Sequence, residues 1–350
     1  WEEDTMKKAL SILTAGCLAV SLAACGSTAA SSAASAADST ASSAAESTAA
    51  TDTAAADGQT YKVGICQLVQ HVALDAATQG FKDALTEQLG DAVTFEEKNA
   101  QGDSNTCSTI INGFVSDNVD LILANATPAL QAAQAGTNTI PVLGTSVTEY
   151  GVALGIDDFD GLVGTNISGT SDLAPLDEQA GIIKELFPDA KTVGLLYCSA
   201  EPNSQYQVDT VKASLEELGY TCEYYAFSDS NDLATVCQSA ADASDVIYVP
   251  TDNTVANNTE IVNNICQPAG VPVVAGEEGI MSGCGVATLS ISYYDLGVAT
   301  GKMAAKILTG ESKVEEMPIE YAPEFTKEYN PTIAEALGIT IPDDYVAYEG

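Results

Sequence analysis

The feature that most constrains the fold of this chain is an internal repeat. Three short apolar runs of the first half recur in the same order in the second: 62–65 (KVGI) and 192–195 (TVGL), 119–123 (VDLIL) and 244–248 (SDVIY), 140–144 (IPVLG) and 271–275 (VPVVA). The members of the three pairs are 130, 125 and 131 residues apart, so order and spacing are both kept. Such a repeat indicates two copies of one folding unit. We therefore predict two lobes of the same architecture.

Each half alternates short apolar segments with amphipathic ones, as α/β folds with parallel sheets do. The predicted strands are 62–68, 93–98, 121–124, 141–145, 192–197, 222–227, 246–249 and 271–275. Between the first two strands, Leu74, Ala77, Phe81 and Leu85 recur at helical spacing. The predicted fold class is α/β, with two doubly wound parallel-sheet lobes that face each other across a cleft.

Polar loops follow the predicted strands in both halves. Ligands of open α/β sheets bind beyond the carboxyl ends of the strands, so these loops are expected to line the cleft. The candidate ligand-binding residues are Gln67, His71, Asn125, Thr127, Ser146, Glu201, Asn203, Ser204, Asp252, Asn253 and Glu277. The alternative is that these side chains only cap helices, which Thr, Asn and Asp favour in any protein.

Should the ligand be an amino acid, as the family resemblance described below implies, it would need three kinds of contact from these loops. Its ammonium group would be met by carboxylates, for which Asp252, Glu277 and Glu201 are candidates. Because the chain contains no arginine, a ligand carboxylate would rest on helix-terminal amides and on hydroxyls. The hydroxyl candidates are Thr127, at a predicted helix N-cap before Pro128, with Ser146 and Ser204. Tyr293 and Tyr150 are candidates for the wall of a slot that holds a ring.

The N-terminal segment has the pattern of an export signal. Met6 is followed by two lysines and then by an uncharged, apolar stretch that ends at Ala24 and is short for a membrane span. The stretch closes on Leu22, two alanines and Cys25, which resembles a bacterial lipobox and predicts lipidation of Cys25. The alternative is an ordinary signal peptide with an incidental cysteine. Residues 1–5 are expected to precede the natural start.

The next segment, 26–59, consists almost wholly of Ser, Ala, Thr and Asp. It has too little apolar surface to offset its ordering entropy, so we predict a disordered tether. The predicted organisation is therefore 1–24 for the upstream residues and signal peptide, and 25–59 for the lipidated cysteine and linker. The expected location is the extracytoplasmic face of the cytoplasmic membrane, with the membrane contacted through the lipid alone.

Charge and cysteine usage exclude several functions. The formal net charge is −37, which argues against binding of nucleic acid or anionic lipid because both need clustered cations. Apart from Cys25, the cysteines after the signal peptide show no CxxC pair and no metal-like spacing with histidine, so no metal site is expected. Free thiols are favoured, with a Cys198–Cys222 disulfide as the exception to test.

An enzyme is the competing class of function. His71 is the only histidine, and the sequence contains no Gly-x-Ser-x-Gly elbow, no P-loop and no dinucleotide-binding glycine fingerprint. We therefore predict a protein that is not an enzyme, with no catalytic residue and no cofactor.

The folded part resembles the tryptophan/tyrosine-type substrate-binding proteins of ABC transporters. The matching stretches are 71–75 (HVALD), 99–103 (NAQGD), 114–117 (FVSD), 125–129 (NATPA), 168–172 (SGTSD), 203–204 (NS), 249–255 (VPTDNTV), 293–297 (YYDLG) and 337–342 (LGITIP). One departure is at 70–72, which reads QHV where the family commonly has Glu-His-Pro. It removes a carboxylate and a rigid turn beside the expected ligand.

The resemblance implies the type I periplasmic-binding-protein fold with a hinge. It implies three crossings between lobes, near 164–172, 287–293 and 319–325. Lobe 1 would hold 60–168 plus about 292–320, and lobe 2 would hold 169–291 plus about 321–350. The implied function is uptake of a small molecule, often an aromatic amino acid, with an ABC permease and ATPase as partners. We expect a monomer. A sugar or nucleoside remains the alternative cargo.

Overall fold

A computed structural model describes residues 58–322 and 324–349 of the chain. The predicted signal peptide, the lipidation site at Cys25 and the tether up to residue 57 lie outside the described residues. Within the part that is described, no helix is both long and apolar enough to span a membrane.

Strands and helices alternate along the described chain. The strands are β1 Tyr61–Gln67, β2 Val93–Asn99, β3 Leu121–Asn125, β4 Val142–Val147, β5 Ile167–Ser171, β6 Thr192–Cys198, β7 Thr221–Phe227, β8 Val246–Val249, β9 Val273–Ala275, β10 Ala287–Ser290, β11 Glu320–Tyr321, β12 Thr326–Tyr329 and β13 Val346–Ala347. The helices are α1 Val72–Leu89, α2 Ser104–Ser116, α3 Thr127–Gly136, α4 Tyr150–Leu154, α5 Leu176–Leu186, α6 Pro202–Glu217, α7 Ser230–Ala243, α8 Asn253–Ala256, α9 Thr259–Ala269, α10 Glu278–Cys284, α11 Tyr293–Leu308 and α12 Pro331–Leu337.

These strands form two sheets. The first has six strands in the order β11-β5-β4-β3-β1-β2, and all its paired strands are parallel. The second has seven strands in the order β13-β12-β10-β9-β8-β6-β7, with a single antiparallel pairing, between β10 and β12. The α/β class with two parallel-dominated sheets is therefore confirmed. Since both sheets are covered by helices on their two faces, their central strands are buried and mainly apolar, as at Val63 and Ile65 of β1.

Two strands lie where we had predicted crossings between lobes. Strand β5 lies within 164–172 and belongs to the first sheet, while β10 lies within 287–293 and belongs to the second. Strand β5 is buried although it lacks an apolar pattern. Its burial is possible because distant groups satisfy its hydroxyls. Ser168 Oγ donates to the carbonyl of Met317 at 2.9 Å, and Thr170 Oγ1 donates to Thr145 Oγ1 at 3.2 Å. The chain passes between the sheets after these strands.

Helix α11 follows β10 of the second sheet directly and packs against α1, which follows β1 of the first sheet. Glycines make the close approach of the two helices possible. A Cβ at Gly297 would overlap the carbonyl oxygen of Ala77, and one at Gly301 would lie 2.6 Å from the carbonyl oxygen of Phe81. The two helices therefore form one tightly packed pair.

The cysteines of the described residues are all free and buried, so Cys198 and Cys222 are not bridged. Two of the thiols lie close together, with Cys237 Sγ 3.6 Å from Cys266 Sγ. Burial raises the pKa of Cys198 and of Cys222 to about 11, which keeps both as neutral thiols.

Candidate functional site

A small cavity lies between the two sheets, at the carboxyl ends of their strands. Loops and helix starts that follow strands of both sheets line it. The lining residues are His71, Leu74, Ser146, Thr148, Asp172, Asn203, Thr251, Asp252, Asn253, Ala256, Glu277 and Tyr293. The position agrees with the rule that open α/β sheets bind ligands beyond the carboxyl ends of their strands.

Three buried carboxyl groups dominate the charge of the cavity. Asp172, Asp252 and Glu277 are 4%, 1% and 2% exposed. Burial raises the pKa of Asp172 to about 6, that of Glu277 to about 7 and that of Asp252 to about 8. The nearby charge of Glu201 adds to the rise at Asp252. No lysine is among the described residues that line the cavity, so these acids lack a protein countercharge.

Two of the acids are held by helix starts of the second lobe. Asp252 accepts hydrogen bonds from the backbone N–H groups of Val255, at 2.9 Å, and Cys198, at 2.7 Å. Glu277 accepts from those of Gly279, at 2.7 Å, and Ile280, at 2.6 Å. Both acids are therefore N-caps, of α8 and α10. The amides at these two helix starts already have carboxyl partners within the protein.

The third acid, Asp172, follows β5 and is paired with Tyr293 at the start of α11. The phenol of Tyr293 donates to Asp172 Oδ2 at 3.0 Å, while Asp172 Oδ1 is buried without a partner. Burial raises the pKa of Asp172, and the hydrogen bond from Tyr293 lowers it in part. Burial and the neighbouring carboxylates raise the pKa of Tyr293, so this phenol stays protonated and remains a donor.

A hydrogen bond crosses the cavity between the lobes. His71 Nε2 lies 3.3 Å from Asn253 Oδ1. Asn253 Nδ2 donates to Glu201 Oε2 at 2.7 Å, so Asn253 Oδ1 is an acceptor and His71 Nε2 carries the donated proton. Because burial lowers the pKa of His71, its ring is neutral and Nδ1 is an acceptor; this atom is buried without a partner.

Seven of the predicted site residues line the cavity: His71, Ser146, Asn203, Asp252, Asn253, Glu277 and Tyr293. Ser146 stands out among them because its backbone is left-handed, with φ 53°, and its hydroxyl is buried without a partner. A left-handed serine is a strained conformation that is often found at binding sites.

The other first-lobe candidates support the start of α1 and lie outside the lining. Gln67 Nε2 donates to Asp75 Oδ1 at 2.7 Å, and Asn125 Nδ2 donates to the carbonyl of Leu74 at 2.9 Å. Thr127 is the buried first residue of α3, and the N-cap is Ala126. The predicted N-cap at Thr127 is thus wrong by one residue, since the chain turns at Ala126 with φ 88°.

In the second lobe, Glu201 and Ser204 also lie outside the lining. Asn253 and Thr254, at the start of α8, donate to the Glu201 carboxylate. Glu201 Oε2 accepts from the backbone N–H and the side-chain amide of Asn253, and Oε1 accepts from the backbone N–H and the hydroxyl of Thr254. The Ser204 hydroxyl lowers the pKa of Asp252.

Tyr150 is a core residue, not part of the lining: its phenol donates to the carbonyl of Thr170 at 3.0 Å and its ring stacks on Phe159.

Sequence reasoning did not name Leu74, Thr148, Asp172, Thr251 or Ala256 as ligand-binding residues, although all of them line the cavity. A signal exists for Asp172, because it directly follows β5 and so lies at the edge where ligands bind. That signal was missed because the polar strand was not predicted. Within the described residues, no group of side chains is arranged to hold a metal ion.

The chain crosses three times between two α/β lobes, and a polar cavity lies at their junction. This arrangement defines a solute-binding protein of the type I periplasmic class. Residues 62–349 match the family described as ABC transporter substrate binding protein, and the chain belongs to this family. Substrate-binding proteins of ABC importers are extracytoplasmic, and their partners are a small molecule and the transporter.

Relatives with known names or structures are similar over nearly the whole folded part. A tyrosine-binding protein of Clostridioides difficile is 34% identical over 317 residues, which cover 89% of this chain and 87% of the relative. A domain from Streptococcus pneumoniae solved in complex with L-Trp is 33% identical, with a TM-score of 0.77; the match covers 81% of this chain and 99% of that domain.

A third relative, a substrate-binding protein of Clostridium difficile with adhesive properties, was solved ligand-free and open. It is 38% identical, with a TM-score of 0.63, and the match covers 83% of this chain and 100% of the relative. The present structure is therefore closer in shape to the L-Trp complex than to the open protein, although the open protein is closer in sequence.

Proposed function

We propose that this chain captures an aromatic amino acid between its lobes and delivers it to an ABC importer. The observation that carries the proposal is the cavity between the sheets, whose described lining holds three buried carboxyl groups and no lysine or arginine. A ligand with an ammonium group supplies the missing countercharge. The relatives named above, a tyrosine-binding protein and an L-Trp complex, support an aromatic side chain.

The ammonium group of the amino acid would lie among Asp172, Asp252 and Glu277. The ligand carboxylate would rest on the hydroxyls of Ser146 and Thr148 and on the first amides of α1, because the His71 side chain makes no capping bond there. The ring would contact Leu74, Ala256 and Tyr293. These roles use the polar and apolar sides of the same cavity.

The hinge and the anchor complete the proposal. Lobe 1 would hold 60–168 with about 292–320, and lobe 2 would hold 169–291 with about 321–350, so that closure presents one shape to the permease. A lipid on Cys25 and the 26–59 tether would hold a monomer at the outer face of the membrane. Replacing Cys25 by Ser tests the anchor: after cell fractionation, the variant is expected in the soluble fraction, and retention in the membrane fraction would count against lipidation.

Calorimetric titration of the full chain with L-Trp, L-Tyr, L-Phe and L-Leu, beside thermal unfolding, tests the cargo. A ligand present at a hundred times its Kd stabilises the native state by about 2.7 kcal/mol, which is a readily measured shift. We expect heat and stabilisation with at least one aromatic amino acid and a weaker effect with L-Leu. If none of the three aromatic amino acids gave either signal at millimolar concentration, the proposed cargo would be wrong.

Asp172→Asn tests the site itself. Asp91→Asn is a matched control, since Asp91 is an exposed aspartate just after the C-terminal end of α1, whereas the cavity lies at the N-terminal end of that helix. Only Asp172→Asn is expected to weaken binding of the aromatic amino acid, and equal losses in the two variants would argue against this cavity as the site.

A further inference from the structure

Three buried atoms in the cavity lack a hydrogen-bond partner and can only accept. They are Asp172 Oδ1, Asn203 Oδ1 and His71 Nδ1. The amide of Asn203 is oriented by its Nδ2, which donates to the carbonyl of Thr251 at 3.0 Å, so Oδ1 is the free atom. The His71 ring is oriented by its Nε2, which donates to Asn253. A ligand that satisfies these atoms has to bring N–H or O–H donors.

Donors for a ligand anion are scarce in the same cavity. No lysine is among the described lining residues, and the sequence contains no arginine. The amides at the starts of α8 and α10 are occupied by Asp252 and Glu277. The one lining hydroxyl that is buried without a partner belongs to Ser146. A ligand carboxylate would thus have the Ser146 hydroxyl and the first amides of α1 as its free donors, while lying in the field of three protein carboxyl groups.

We propose that this cavity selects its ligand by a primary ammonium group and does not require the α-carboxylate, so that primary aromatic amines such as tyramine and tryptamine are also ligands. The inference rests on the proposed capture of an aromatic amino acid and extends it to a second class of substrate. A primary ammonium group brings three N–H donors to these acceptors and to the carboxyl groups beside them. An aromatic amine keeps this group and the ring and loses only the part of the ligand that the protein acids repel.

The test is calorimetric titration of the full chain with two sets of three compounds that share a ring. One set is L-tyrosine, tyramine and 3-(4-hydroxyphenyl)propionate, and the other is L-tryptophan, tryptamine and indole-3-propionate. For the ring that binds, we expect the Kd of the amine to lie within about tenfold of that of the amino acid. The deaminated acid is expected to bind at least roughly a hundredfold more weakly than the amine.

The outcomes separate this inference from the proposed function. If the amino acid binds and the amine does not, or if the deaminated acid binds as well as the amine, the inference is overturned while the receptor function stands. If none of the six compounds binds, the proposed aromatic cargo fails, and the inference fails with it.

Asp172→Asn adds a second arm that does not depend on comparing ligands of different solubility. Removing the charge that faces the ammonium group is expected to weaken the binding of the amino acid and of the amine by the same factor, roughly tenfold or more. Asp91→Asn is the control. A loss of affinity for the amino acid alone would overturn the inference. Thermal unfolding of each variant shows that the comparison is made on folded protein.

Discussion

His71 Nε2 donates to Asn253 Oδ1 across the cleft, over 3.3 Å, so the first helix of one lobe is tied to a short helix of the other. The acceptor is held in place by Glu201, which takes hydrogen bonds from both the backbone N–H and the side-chain amide of Asn253. This chain of contacts joins the lobes only when they are closed, so its contribution to closure can be measured.

Asn253→Ala is expected to weaken binding of the aromatic amino acid about fivefold to tenfold, because a hydrogen bond of this kind contributes about 1 kcal/mol to the closed state. Calorimetry measures the affinity, and small-angle scattering at a ligand concentration near the Kd of the unchanged protein measures the loss of closed molecules as a larger radius of gyration. Asn112→Ala, at an exposed position on α2, is the control. Unchanged affinity and radius in Asn253→Ala would show that the contact does not hold the lobes together.

Ligand binding is expected to strengthen as the pH rises from 5 to 8. In the unliganded cavity the pKa values of Asp172, Glu277 and Asp252 are raised to about 6, 7 and 8. An ammonium group favours the charged forms, so binding expels protons in this window. The other titratable groups that face these acids are His71, which is neutral, the phenols of Tyr293 and Tyr150, which stay protonated, the thiols of Cys198 and Cys284, and the acids Glu201 and Glu278.

Calorimetry in buffers with different ionisation enthalpies counts the released protons. A flat affinity between pH 5 and 8, with no proton release, would contradict the assignment of these acids to the ammonium site.

The unliganded protein is expected to lose stability over the same pH range. Acids whose pKa is raised by folding bind protons more tightly in the native state, so they stabilise it below their unfolded pKa near 4. This stabilisation disappears as the pH rises through the raised values, about 6 to 8. Thermal unfolding against pH measures it, and a saturating aromatic amino acid should flatten the curve. A melting temperature of the unliganded protein that rises steadily from pH 5 to 8 would contradict this prediction.

Tyr293→Phe is expected to raise the pKa of Asp172 and to weaken ligand binding at pH 7 by about tenfold. The phenol donates to Asp172 Oδ2, and hydrogen bonds to charged groups contribute about 1.5–3 kcal/mol. The affinity–pH profile should therefore move to higher pH. Tyr294→Phe is a close control because this neighbouring phenol donates to Asp83 at the protein surface. The same shift in both variants would rule out a specific role for the Asp172–Tyr293 pair.

Gly297→Ala is expected to destabilise the protein by about 1–3 kcal/mol or more, because the new methyl group would overlap the carbonyl oxygen of Ala77 and push α11 from α1. Gly181→Ala, in the middle of α5, meets no atom within 4 Å and is expected to stabilise by about 0.5–1 kcal/mol through helix propensity. Chemical denaturation measures both variants. Equal effects would mean that the approach of α1 and α11 is not tight.

The lobes can be predicted from sequence because buried parallel strands are apolar on both faces, and this pattern recurs in both halves. Strand β5 cannot be found in the same way. Its Ser168 and Thr170 are buried only because partners such as the Met317 carbonyl, 149 residues away, accept their hydroxyl groups. No local pattern carries that information, and missing β5 also hid Asp172 at its end.

The site is partly predictable for a related reason. Polar residues after a strand are easy to find, but the direction in which each side chain turns is set by its hydrogen-bond partners elsewhere in the chain. Asp252 lines the cavity while Glu201, an equally plausible acid, turns to the start of α8. The hydrogen bonds that decide between them join residues about fifty positions apart and cannot be derived from the spacing alone.

The acidic cavity also bears on energy use at the membrane. If the two lobes close without a ligand, the carboxyl groups of the cavity are removed from water with no cation beside them. The protein then has to take up protons or reopen. An empty receptor therefore spends little time in the shape that a transporter accepts. We expect this penalty to keep the importer from hydrolysing ATP without moving cargo, so that the same acids that hold the ligand also act as a check on wasted transport cycles.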